Sequence, residues 1–156
     1  MNKRNLNECL IDKNDIKEEI KLIEGSKTDY VSTSGKIYKD CGNDKLYSKS
    51  VFMNKHNGYM YSSISYENGN KQRRVHKLVA EAFIEKDDEF KNIVMHIDND
   101  KTNNNVDNLK WGTVSENTKA AFEDGLEKMI PDGKIHNLNL YKWSTKTVVL
   151  LLHLDL

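Results

Sequence analysis

Residues 93–124 read IVMHIDNDKTNNNVDNLKWGTVSENTKAAFED, and this stretch decides the fold. It opens on a short β-prone run that ends in His96. An Asp/Asn-dense segment follows at residues 98–105, where side chains that bond their own backbone favour turns. A second short strand is expected at residues 109–113. A helix is expected to begin near Ser115, with Ser115 as N-cap and Gly125 as the C-terminal stop. His96, Asn108 and Asn117 therefore fall on the first strand, the start of the second strand and the first turn of the helix.

Upstream, residues 75–84 read VHKLVAEAFI. Val75, Leu78, Val79, Ala82 and Phe83 recur at helical spacing, which predicts an amphipathic helix. Residues 29–75 read as a small antiparallel sheet. Residues 29–40 alternate as strand, turn, strand; residues 49–55 and 59–66 are strand-like; and Asn68-Gly69-Asn70 is a hairpin turn before a returning strand at 72–75. Residues 14–23 place Ile16, Ile20 and Ile23 at helical spacing behind Asn14 or Asp15 as cap, and a strand beginning at Glu19 is the alternative.

The chain has 156 residues, 37% hydrophobic and 31% charged, which fits one modest core with appendages. Lys+Arg and Asp+Glu are both 24, so the net charge is zero, which speaks against tight non-specific binding to nucleic acid. The charge is unevenly placed. Between residues 36 and 77 nine Lys or Arg (36, 39, 45, 49, 55, 71, 73, 74, 77) face three acids (40, 44, 67), and the balance reverses over residues 81–100. Cys9 and Cys41 form no CxxC pair, which excludes a cysteine zinc site and suits a reducing cytosol. The apolar run at residues 147–152 is too short to span a bilayer.

Hydrolysing a phosphodiester requires a base for water and neutralisation of charge on the phosphate and the leaving oxygen. Histidine supplies the base in its neutral form. Asparagine carbonyl oxygens suit a hard divalent ion. The cluster at residues 71–77, KQRRVHK, is the best local contact for a DNA backbone, with Lys71, Arg73, Arg74, His76 and Lys77 as candidate phosphate contacts.

VHKLVAEAFI followed by MHIDNDKTNNNVDNLKWGTVSEN resembles the HNH homing endonucleases of phages and group I introns. The upstream DYVSTSGKIY is similar, more weakly, to the NUMOD4-like sheet module that often precedes that nuclease. The resemblance covers roughly residues 19–126. It implies an α+β fold: an N-terminal segment at 1–28, helical or irregular; a small antiparallel sheet module at 29–75; a helix and an HNH ββα-metal motif at 76–126; and a short tail at 127–156, a truncated DNA-binding element. It implies a metal-dependent DNA endonuclease, nicking to leave 5′-phosphate and 3′-hydroxyl ends. His96 would be the general base, Asn117 a ligand to a single Mg²⁺ or Mn²⁺, and Asn108 the middle asparagine that holds the turn between the strands. Trp111 would be core, Asn103 and Asn104 turn residues, and Asp98 a brace for the loop.

The sequence departs from that pattern at Met95, where the family carries Asp or Asn as the second protein ligand. A thioether is a soft, weak donor for Mg²⁺. Weak binding through Asn117, substitution by Asp98 or Asp100, and a degenerate site in a DNA-binding protein are the open readings. Double-stranded DNA is the expected partner, with no membrane, no obligate protein partner and a cytoplasmic location.

Overall fold

A computed structural model of the chain describes residues 10–129. The expectations placed on residues 1–9 and 130–156, including the apolar tail, lie outside the described residues. The chain divides into two units, 1–117 and 118–156. From the second, the described residues are the continuation of one helix.

Ten strands and two helices follow in order: β1 (Leu10–Asp12), β2 (Ile20–Leu22), β3 (Asp29–Ser32), β4 (Ile37–Asp40), β5 (Lys45–Lys49), β6 (Phe52–Met53), β7 (Met60–Tyr66), β8 (Gly69–Arg74), α1 (Val75–Phe83), β9 (Ile93–His96), β10 (Leu109–Gly112) and α2 (Val114–Met129). They form three antiparallel sheets, ordered β1-β5-β4-β3-β2, β6-β7-β8 and β10-β9. The architecture is α+β, with sheets first and then helix, hairpin and helix. No helix among the described residues is long and apolar enough to cross a membrane.

α1 sits at the centre of the first unit. Its Val75, Leu78, Val79 and Ala80 share one buried cluster with Val31 and Ile37 of the first sheet, Ile64 of β7, and Val94 and Leu109 of the last hairpin. Burying Leu or Val side chains of this kind stabilises by roughly 1.5–3 kcal/mol each. The helix therefore fastens all three sheets to one another, and it places its first turn beside the end of β9.

A buried ion pair sits within the first sheet, and its carboxylate ties that sheet to the second. Asp29 is fully buried, and its Oδ2 accepts from Lys49 Nζ at 2.6 Å on β5 and from the Ser65 amide at 2.7 Å on β7. Ser26 Oγ adds a bond to the Ser65 carbonyl at 2.8 Å. The β3–β4 turn reaches the last hairpin. Thr33 O accepts from the Val106 amide at 2.8 Å. Gly35, at φ +84°, lies so close that a Cβ there would meet Asn104 Cβ at 3.0 Å and Val75 Cγ1 at 3.2 Å. A side chain at position 35 would thus be strained twice, by conformation and by contact.

Four local expectations need correction. Residues 14–23 are not helical. Asp12 captures the Asn14 amide at 3.1 Å and starts a 3₁₀ turn at Lys13–Asp15, and Ile20–Leu22 then pair with β3. Ile16, Ile20 and Ile23 keep helical spacing, but a waiting strand edge overrides it. The β7–β8 turn is Glu67-Asn68, because Tyr66 pairs with Gly69. The cap of α2 is Thr113 rather than Ser115: Thr113 Oγ1 accepts from the Glu116 amide at 3.2 Å, and Glu116 Oε2 accepts from the Thr113 amide at 2.8 Å. That reciprocal pair is a capping box. Gly125 does not stop α2, which runs on to Met129.

Candidate active site

β9 pairs with β10 in the register His96↔Leu109, Met95↔Lys110 and Val94↔Trp111. Side chains alternate across a strand, so Val94 and His96 share one face and Met95 takes the other. The first face turns to α1. His96 is 8% exposed and its ring lies 5.0 Å, edge-on, from that of His76 in the first turn of α1. Tyr59 completes the group, 4.9 Å from His76 and 6.1 Å from His96.

The orientation of His96 is set by Asn104. Its Oδ1 lies 3.1 Å from His96 Nε2, and its Nδ2 donates to the Thr102 carbonyl at 3.1 Å. The Thr102 bond fixes which end of the amide faces the histidine. An amide oxygen only accepts, so Nε2 carries a proton, and in the neutral ring Nδ1 is the nitrogen with the lone pair. Nδ1 is absent from the buried, unpartnered atoms and makes no hydrogen bond among the described residues, so it remains open to solvent. In its neutral form this ring can accept a proton at Nδ1. Asn104 is 6% exposed and acts as a positioning residue as well as a turn residue. Asn104→Leu is expected to lower cleavage by about 10–100-fold, read as a loss in kcat with DNA affinity unchanged.

Asn108, counted with His96 in the catalytic set by its resemblance, bonds across the loop between the two strands. Its Oδ1 accepts from the Asp98 amide at 3.1 Å, and its Nδ2 donates to Asp98 Oδ1 at 2.8 Å and to the Asn103 carbonyl at 2.9 Å. Asp98 is the brace: Oδ1 also takes the Asp100 amide at 2.8 Å and Oδ2 takes Asn103 Nδ2 at 2.7 Å. The bonds from Asn108, then Asn103, hold its carboxyl below the ordinary carboxylate value. Both oxygens are thus committed to the loop. Asp100 Oδ1 is likewise bound to Thr102 N and Oγ1, at 2.8 and 2.7 Å. Asp98 thus has no oxygen to spare for a ligand role at position 95, and Asp100 has Oδ1 committed.

Met95 fills that position with sulfur. It is 7% exposed on the face turned to the start of α2, where a Cβ on Gly112 would meet its Sδ at 2.5 Å and Glu116 Oε2 at 3.2 Å. Gly112 is the residue that leaves room for this thioether. Asn117, next after Glu116, is exposed in the first turn of α2, and its backbone amide donates to Thr113 O at 3.1 Å. Position 95, which the resemblance pairs with Asn117 as a metal ligand, thus carries a soft, buried donor. Among the described residues no three His, Cys, Asp or Glu gather closely enough to hold a metal ion. A protein site with two oxygen ligands for Mg²⁺ or Mn²⁺ does not fit these residues.

The basic cluster separates into two kinds. Arg73 is engaged: its Nη2 grips both Glu81 oxygens at 3.1 and 2.9 Å, and its Nη1 donates to Tyr66 Oη at 2.8 Å. His76 is 2% exposed and cannot reach a DNA phosphate, which corrects the expectation placed on it. The flanking arginines gave it a surface look, but it lies on the buried face of α1. Lys71 is exposed, with Nζ 5.9 Å from the Tyr66 ring, and Lys77 is half-buried. Arg74 turns to Tyr61, donating Nε to its hydroxyl at 2.9 Å, and lies 4.9 Å from the Tyr59 ring. Trp111 packs on the core and donates to Ile84 O at 3.0 Å at the end of α1.

Burial, with the nearby charges of Arg74 and Lys77 adding to it, pushes His76 down to about 3 from an ordinary 6.5. The unfolded chain takes the proton near 6.5 and the folded chain resists it until about 3. Stability is therefore full above that upper value and shrinks as pH falls through the window. The slope from this one group is about 1.4 kcal/mol per pH unit. Melting temperature is expected to drop between pH 7.5 and pH 5, and His76→Phe should flatten that drop.

Residues 73–119 match the family model described as HNH endonuclease. Two Acanthamoeba polyphaga mimivirus proteins, described as uncharacterized HNH endonucleases L245 and L247, are each 36% identical to this chain, over 110 and 119 residues. Those spans are 70% and 75% of this chain but 31% and 28% of the relatives, so the chain covers less than a third of their length. Among solved structures, one described as DNA binding and cleavage by the HNH homing endonuclease I-HmuI matches with a TM-score of 0.60 at 30% identity. The match covers 69% of this chain and 59% of that one. By residues 73–119, which take in α1, the β9–β10 hairpin and the first turn of α2, the chain carries an HNH endonuclease segment.

Proposed function

We propose that this protein is a DNA endonuclease that nicks one strand, with His96 as its general base and with Met95 holding its activity low. The observation that carries the reading is the Asn104–His96 bond, which leaves Nδ1 free and open to solvent. Nδ1 takes a proton from a water molecule, and the water oxygen bonds to phosphorus. The bond from phosphorus to the 3′ oxygen breaks, that oxygen takes a proton from a solvent water to become the 3′-hydroxyl, and the phosphate stays on the 5′ end. General-base help of this kind contributes roughly 10²–10⁴-fold. Asn108 and Asp98 act at one remove by keeping the loop closed under the histidine. The upstream strands β3 to β8 serve as the DNA-contacting module, since they carry the exposed Lys71 and the free guanidinium end of Arg74.

A second reading is supported by the burial of Met95: a DNA-binding protein whose cutting site is silent. Supercoiled plasmid incubated with the full chain in Mg²⁺ or Mn²⁺, with a gel shift run in parallel, separates the two. Slow conversion to nicked circles is the expected result. A shift without nicking supports the second reading, and neither shift nor nicking overturns both.

A further inference from the structure

Tyr59 is flanked by two cations from segments far apart in sequence. Arg74 Cζ, at the end of β8, lies 4.9 Å from its ring centroid, and Lys101 Nζ, in the loop between β9 and β10, lies 4.8 Å from it. Each is held in place. Lys101 donates to the Asn57 carbonyl at 3.1 Å and runs its stem over Gly58, whose Cβ, if present, would sit 3.6 Å from Lys101 Cδ. Arg74 spends only Nε, on Tyr61 Oη, which also receives Asn57 Nδ2 at 3.2 Å.

Neither cation has a carboxylate partner. Among the described residues the ion pairs occupy Lys21, Lys27, Lys36, Lys45, Lys49, Arg73 and Lys91. Arg73 makes the contrast plain, since the very next residue is neutralised by Glu81. Two like charges gathered at one ring repel each other unless an anion lies between or above them. An aromatic face offsets part of that repulsion, on the order of 0.5–1 kcal/mol per exposed cation. The same ring borders His76 and His96, so the uncompensated charge stands beside the base.

We propose that Arg74 and Lys101, gathered on Tyr59, form an anchoring site for a DNA phosphate next to the strand position presented to His96. The inference rests on the endonuclease reading and adds to it the contact that fixes the backbone. It assigns to Lys101 a role in DNA binding, and it divides the basic cluster: Arg74 binds the backbone and Arg73 holds Glu81. A guanidinium with its Nη groups free suits two phosphate oxygens at once, and the ammonium supplies a point charge. Sequence spacing hides the site, because residues 59, 74 and 101 meet only through the β7–β8 register and the Lys101–Asn57 bond.

The test measures affinity of the full chain for a nonspecific duplex across salt concentrations, for wild type, Lys101→Met, Arg74→Met and the double variant. Methionine keeps the stems that pack on Gly58 and Tyr59, and Lys27→Met, at an exposed pair with Glu67, is the control. Each single change at the site should reduce the slope of log affinity against log salt by about 1 and the double by about 2. Lys101→Arg should restore the wild-type slope. The control should leave the slope nearer wild type than either site variant. Slopes unchanged in both site variants, in a wild type that binds DNA, would overturn this site and leave the endonuclease reading standing. A wild type that binds no duplex at low salt would overturn both. Melting curves for every variant separate lost binding from lost folding.

Discussion

His96→Ala is expected to slow strand cleavage by roughly 10²–10⁴-fold, the contribution of a positioned general base. Affinity for duplex DNA should hold, because the proposed phosphate contacts lie on β8 and the hairpin loop. The strand itself survives the change, since its pairing with Leu109 is made by backbone atoms. The change does leave the buried Asn104 Oδ1 without its partner, which costs about 1–3 kcal/mol of stability. Rates are therefore compared at a temperature where melting shows the variant folded. Single-turnover nicking is the measurement. A rate within a factor of a few of wild type would remove His96 from the role of base.

Asp29→Ala is expected to produce the largest loss of stability, about 3–5 kcal/mol, because it strips a buried cation of its partner. Lys49 would face an apolar interior with its side chain 15% exposed, and the Ser65 amide would lose its acceptor. In a domain of this size such a loss lowers the melting temperature by about 10 °C or more. Asp29→Asn should be milder, since its carbonyl oxygen can still accept from Ser65. Thermal melts of the two variants check the claim. Equal melting temperatures for Asp29→Ala and wild type would show that this carboxylate does not hold the sheets together.

The hairpin and its neighbours were legible because their information is local. The dense Asx residues at 98–105 specify a turn, and the apolar spacing of residues 75–83 specifies α1. His96 at the end of β9 and Asn117 in the first turn of α2 stand where the sequence put them, whereas Asn108 closes a 3₁₀ turn, Val106–Asn108, one residue before β10. What stayed hidden depends on long-range partners. Asp29 reads as an ordinary surface acid until Lys49 and Ser65 close on it. Asn104 reads as one more turn residue until its amide meets His96. Arg73 and Arg74 are alike in sequence, and only their opposite faces on β8, fixed by the pairing with Ser62 and Tyr61, separate a neutralised charge from a free one. His76 drew the wrong expectation because its neighbours are basic, whereas its own place is set by the buried face of α1.

Position 95 joins the legible and the hidden parts. The sequence marks the thioether as foreign to a hard-metal site, and the structure shows it buried against Gly112, with both oxygens of Asp98 and Oε2 of Glu116 bound elsewhere. The central claim is that the base is in place and the missing element is an oxygen ligand at residue 95. Single-turnover nicking of supercoiled plasmid by Met95→Asp in Mg²⁺, with and without His96→Ala in the same chain, tests it most directly. The account predicts cleavage at least ~10-fold faster than wild type, by the scale of ligand and outer-shell effects at metal sites, and loss of that gain in the double variant. No gain in Met95→Asp, although its melting temperature rises on adding Mg²⁺, or a gain that persists without His96, would contradict it.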